Sequence, residues 1–218
     1  EALAGLSRCS GGVESYEGHA LIYLALTRLI LGDAKAANDL CALAIEQARR
    51  RRTTELAAAL GNSLYLLSIQ GDVAQVRRTC HELQKLAEEK GFLMWLHQAR
   101  FFLGWARAAD GERDGLEMME AAMDRFREAH ELVEQSFFYG LLAESYLALD
   151  LPERARENVE RGLGLVAELG ETFFEAPLLR LKARCLGGSG DGTAAPEIAQ
   201  LFERAQQLAI QQGAVAWR

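Results

Sequence analysis

The sequence predicts an all-α fold, a right-handed superhelical array of about five helical hairpins with units of roughly 40 residues. Three observations carry this reading. Only three prolines occur in 218 residues, and long runs of Ala, Leu, Glu and Arg favour helix almost throughout. Runs of β-branched residues, which a sheet would want, are nearly absent. Turn signals recur with a fixed period: Gly32, Gly71, Gly111, Asp150 and Gly190 lie 39 or 40 residues apart. A second series, Arg52, Gly91, Glu131, Gly170 and Gly213, falls between them. The segments between turns have the apolar spacing of helices.

The hairpins follow in order. The first, 16–52, begins with the apolar run "ALIYLALTRLILG", turns at "LGD", and offers Asp33 as a cap for its second helix. The second, 53–91, turns at "QGD" with Asp72 in the same capping place. The third, 92–131, turns at "ADG", the fourth, 132–170, at "ALD", and the fifth, 171–213, at "GGSGDG". Seven positions before the first turn stands a small residue for close helix contact: Ala25, Gly104, Ala143 and Ala183, with Leu64 (beside Ser63) as the exception. Five positions after the turn, Ala37, Ala155 and Ala195 repeat the pattern on the second helix. A hairpin alone cannot bury its apolar face, so the units must stack, and 1–218 is expected to be a single repeat domain.

The small residue, the Gly-Asp turn and the following alanine resemble the tetratricopeptide repeat, although these units exceed that repeat's ~34 residues and lack its terminal proline. Residues 92–218 are similar to something narrower. "LLAE" at 141–144, "GE-x-F-x-EA-x-LLRLK" across 170–182 and "QGA-x-x-W" at 212–217 resemble a bacterial C-terminal repeat region. That region ends large AAA-type ATPase signalling proteins that begin with a class III nucleotide cyclase or a helix-turn-helix DNA-binding domain. The resemblance implies a cytoplasmic fragment of a longer chain, with any catalysis in upstream domains. The opening "EALAGLSRCS" and the end "GAVAWR" fit such a fragment.

The residues point to no chemistry of their own. "CLGGSGDGTAAP", 185–196, nearly spells a phosphate loop, but it lacks the Lys and follows a helical segment where that loop needs a strand. It reads as the fifth first-helix turn, enlarged by about four residues, which is why Gly170 and Gly213 are 43 apart. The four histidines, His19, His81, His97 and His130, are dispersed, with no zinc spacing. Cys80 and His81 are adjacent, but neighbours on a helix point about 100° apart and cannot share a metal. Cys9, Cys41, Cys80 and Cys185 form no C-x-x-C pair and read as reduced thiols, with Cys41 and Cys80 as small core residues. No catalytic residue, metal or cofactor is expected.

A net charge of −7 leaves nucleic acid only a local patch. "QARRRRTTEL", 47–56, is the one dense basic run, and its arginines suit a helix C-terminus. The run at 20–32 is too short to span a bilayer and carries Arg28. A partner-binding groove on the first helices is the remaining expectation. Its candidates in the tetratricopeptide register are His19, Tyr65, Gln98, Phe101, Trp105, Phe137, Glu144, Arg180 and Arg184. Single aromatics among them could equally belong to the core. An aromatic centre with a polar rim suits a peptide or partner helix, hence a regulatory protein-interaction module. Two alternatives stand beside it: an anion receptor with Arg180 and Arg184 gripping the ligand near Trp105, and an oligomerisation or spacer arm.

Overall fold

The computed structural model describes residues 17–129, 134–187 and 194–217. They form ten α-helices: α1 Glu17–Ile30, α2 Ala34–Arg49, α3 Thr53–Ile69, α4 Val73–Lys90, α5 Leu93–Ala109, α6 Asp114–Glu128, α7 Gln135–Ala148, α8 Pro152–Leu169, α9 Glu175–Gly187 and α10 Ala195–Gln211. Short 3-10 turns occupy Thr172–Phe174 and Val215–Trp217. No strand occurs among the described residues. Each expected hairpin encloses two successive helices, and these helix pairs pack side by side. The chain divides into two compact units, Glu1–Ala99 and Arg100–Arg218.

The periodic turns share one backbone solution. Gly32, Gly71, Gly111 and Asp150 are all left-handed, with φ of 92°, 70°, 86° and 57°. One residue on, the N–H groups of Asp33, Asp72, Glu112 and Leu151 reach back to the carbonyls of Arg28, Leu67, Arg107 and Tyr146 at 2.8, 3.0, 3.1 and 2.9 Å. These are Schellman closures, which satisfy carbonyls orphaned at the helix end. Asp150 holds the glycine's place because a short polar side chain tolerates the left-handed region better than most. Asp33 and Asp72 cap as expected, accepting from Ala36 N at 3.1 Å and Gln75 N at 2.9 Å. Arg52 is extended instead (φ −97°, ψ 146°), so the first hairpin ends without the left-handed turn found at Gly91 and Gly170. Glu131, Gly190 and the rest of 188–193 lie outside the described residues.

First and second helices are buried differently. Ten of the 17 residues of α3 and eleven of the 14 of α7 are buried, against five of 18 in both α4 and α8. α3 and α7 are therefore flanked on several sides, whereas α4 and α8 each bury one stripe. Val76, Cys80, Leu83 and Ala87 are that stripe on α4.

In the first unit, Leu21, Ile22, Ala25 and Leu29 of α1 pack with Ala37, Cys41 and Ala44 of α2 and Leu66 of α3. Gly61 of α3 receives the indole of Trp95: a Cβ there would lie 2.4 Å from Trp95 Cε3. Gln98 seals the same contact, its Nε2 donating to the Gly61 carbonyl at 3.0 Å. The second unit repeats this device 79 residues later, where a Cβ on Gly140 of α7 would lie 2.4 Å from Phe174 Cε1. Gly104 and Gly115 bring the α5 and α6 backbones together, each occupying the space where the other's Cβ would meet a carbonyl oxygen, at 2.6 and 2.4 Å.

Aromatic rings fill the second unit. Phe138 sits 4.7 Å from Phe101, 5.2 Å from Phe126 and 6.0 Å from Phe137, centroid to centroid. Phe137 continues to Phe174 at 4.8 Å, and Phe174 to Trp217 at 5.6 Å, largely edge-to-face.

Ala25, Ala37, Ala143, Ala155 and Ala183 are buried as expected. Ala195 is exposed, at the very start of α10. The residue three into that helix is Ile198, which stands where Ala37 and Ala155 stand on α2 and α8. Its Cδ1 is 3.9 Å from the Cβ position of Gly187. The enlarged turn thus moves the contact by three residues.

Candidate binding face on the first helices

Six positions before the periodic turn, the first helices carry Tyr65, Trp105, Glu144 and Arg184. Tyr65 is 7% and Trp105 8% exposed. Glu144 and Arg184 face solvent. Glu144 is nevertheless surrounded by protein on most sides, and the loss of bulk water lifts its carboxyl above the usual carboxylate range. The Arg184 guanidinium acts in the opposite direction.

The other groove candidates are placed as follows. His19 lies on α1, and its side chain is outside the described residues. Gln98 is buried and held by the Gly61 carbonyl. Phe101 and Phe137 are fully buried core rings, the second of the two places open to them. Arg180 is half-buried, and its Nη1 donates to the Trp217 carbonyl at 2.5 Å. It therefore ties α9 to the Val215–Trp217 turn. What the structure brings together in the second unit is Glu144 and Arg184.

Cys41, Cys80 and Cys185 are buried free thiols. Burial pushes the Cys41 thiol up to about 11 and raises those of Cys80 and Cys185 as well, so little thiolate exists near neutral pH. Among the described residues no three His, Cys, Asp or Glu side chains come close enough to hold a metal. In the basic run, Arg49 donates to both carboxylate oxygens of Glu82 at 2.8 and 2.9 Å, and Arg50 pairs with Glu46 at 2.5 Å. These contacts leave less positive field for a phosphate backbone. Among the described residues no helix is long and apolar enough to cross a membrane.

Sequence reasoning missed a polar strut in the second unit. Glu120 Oε1 of α6 accepts from the Tyr146 hydroxyl of α7 at 2.5 Å and from Arg154 Nη2 of α8 at 2.5 Å. The Arg154 guanidinium also lies 5.2 Å over the Tyr146 ring. Burial, with the bond to Glu120, raises the Tyr146 phenol well above its usual range. The three residues come from three helices, so no local spacing announces them. No protein-family model and no curated protein matches the chain.

Proposed function

We propose that the chain is a non-catalytic binding module whose stacked hairpins take a peptide or protein partner along the first-helix face of the second unit. The observation that carries this is the desolvated Glu144 carboxylate opposed by Arg184, at one register position of neighbouring first helices. Paired opposite charges in such a setting select a segment carrying complementary charges, since an unmatched partner leaves them without compensation. A right-handed superhelical stacking of the hairpins and a place in a larger cytoplasmic bacterial signalling or transcription-regulating ATPase belong to the same proposal. In that setting the module acts by binding one state of the upstream domains more tightly than another.

The test is a peptide array of helical and extended segments with systematically varied charge, read by fluorescence-labelled full chain. Peptides captured by the native chain should weaken about tenfold or more with Glu144→Gln or Arg184→Ala, the scale of a lost charged hydrogen bond. Far-UV circular dichroism should remain unchanged. Captured peptides that bind both variants as well as the native chain would remove the first-helix face from the reading.

A further inference from the structure

A cleft of about 230 Å³ opens in the second unit between α6, α7 and α8, away from the Glu144–Arg184 face. Its α6 wall carries Glu120, Asp124 and Arg127, and its α8 wall Asn158 and Arg161. Its floor is Tyr139 and Leu142 of α7, with Met123 beside them. The strut from Glu120 to Tyr146 and Arg154 ties all three helices, so the walls are held apart at a set width.

Polar capacity is left over on both walls. Glu120 uses only Oε1 in the strut, and Asp124 uses only Oδ1, toward Arg127. Asn158 is 4% exposed, and its Nδ2 donates to the Arg154 carbonyl at 2.7 Å. That bond orients the amide, because a carbonyl accepts and cannot donate. Asn158 Oδ1 is therefore an acceptor without a partner among the described residues, on a nearly buried side chain lining the cleft. The Tyr139 hydroxyl and the Arg161 guanidinium likewise have no partner among the described residues.

We propose that this cleft binds a small zwitterion, an α-amino acid with an aliphatic side chain. Two carboxylates and two guanidiniums line it, so its formal charge is zero, and neither an anion nor a cation alone would be matched. The free oxygens of Glu120, Asp124 and Asn158 accept from the ammonium group. Arg161 and the Tyr139 hydroxyl donate to the carboxylate. Leu142 and Met123 cover the aliphatic side chain. The volume is below the roughly 300 Å³ at which pockets for drug-sized ligands begin, which restricts the ligand to this size.

Calorimetric titration of the full chain with L-leucine and L-valine tests the proposal. Arms with 3-methylbutanoate, which lacks the ammonium, and 3-methylbutylamine, which lacks the carboxylate, run beside them. Saturable heat with the amino acids is expected, with each single-charge analogue at least tenfold weaker. Arg161→Ala and Asp124→Asn should each weaken L-leucine about tenfold or more, while Lys35→Ala, exposed in the first unit, leaves it unchanged. No saturable heat at millimolar amino acid would overturn the proposal. So would analogues that bind as well as the amino acids, or an Arg161→Ala variant with native affinity and native circular dichroism.

Discussion

Trp105 and Glu144 occupy the same register position on two first helices of one unit, yet one is nearly buried and the other faces water. Arg184 continues the exposed set. The repeat decides where a residue stands along its helix, and the neighbouring side chains decide whether that place is core or surface. Around Trp105, Phe101 and Phe102 of the same helix build an aromatic core with Phe138. Around Glu144 the surface stays open enough for water while protein surrounds it. A register that reads as one continuous groove in the sequence is therefore divided between buried and exposed positions.

Substitutions sharpen this division, and the largest effect belongs to the buried end. Trp105→Ala should cost about 3–5 kcal/mol in urea unfolding, the range for truncating a large core aromatic. A loss below about 1 kcal/mol would move Trp105 from the core to the binding face. The glycine contacts come next. Gly61→Ala and Gly140→Ala place a methyl 2.4 Å from Trp95 and Phe174 and should each cost about 1–3 kcal/mol through overpacking. Pairing Gly140→Ala with Phe174→Leu should recover part of that loss, whereas strict additivity would show that the ring can move aside unaided. The smallest effect belongs to the exposed end: Arg184→Ala should change stability by no more than about 0.5 kcal/mol.

Much of the fold was legible in the sequence because its punctuation is local. Gly32, Gly71 and Gly111 announce left-handed turns by residue type, and Asp33 and Asp72 announce caps a single bond away. Ala195 misled because the enlarged turn changed the spacing, and a turn's conformation is not encoded by its length. The proposed binding face was a register in the sequence and no more. Assigning Phe101 and Phe137 to the core requires the rings of Phe138 and Phe174, which lie one hairpin onward. The Glu120–Tyr146–Arg154 strut was illegible for the same reason, with partners 26 and 34 residues apart on three helices.

The central proposal is that the desolvated Glu144 carboxyl and the Arg184 guanidinium that acts on it mark a recognition surface. Because burial favours the neutral carboxyl, the folded-state pKa of Glu144 lies above its unfolded value. Its stabilising contribution is thus present at low pH and lost as pH rises through the folded pKa, and Glu144→Gln should abolish that dependence. Carboxyl-detected NMR titration of Glu144, with and without Arg184→Ala, tests the claim most directly. The account predicts a midpoint above that of an exposed glutamate, moving higher still when the arginine is removed. A midpoint at the ordinary value, unmoved by Arg184→Ala, would contradict it.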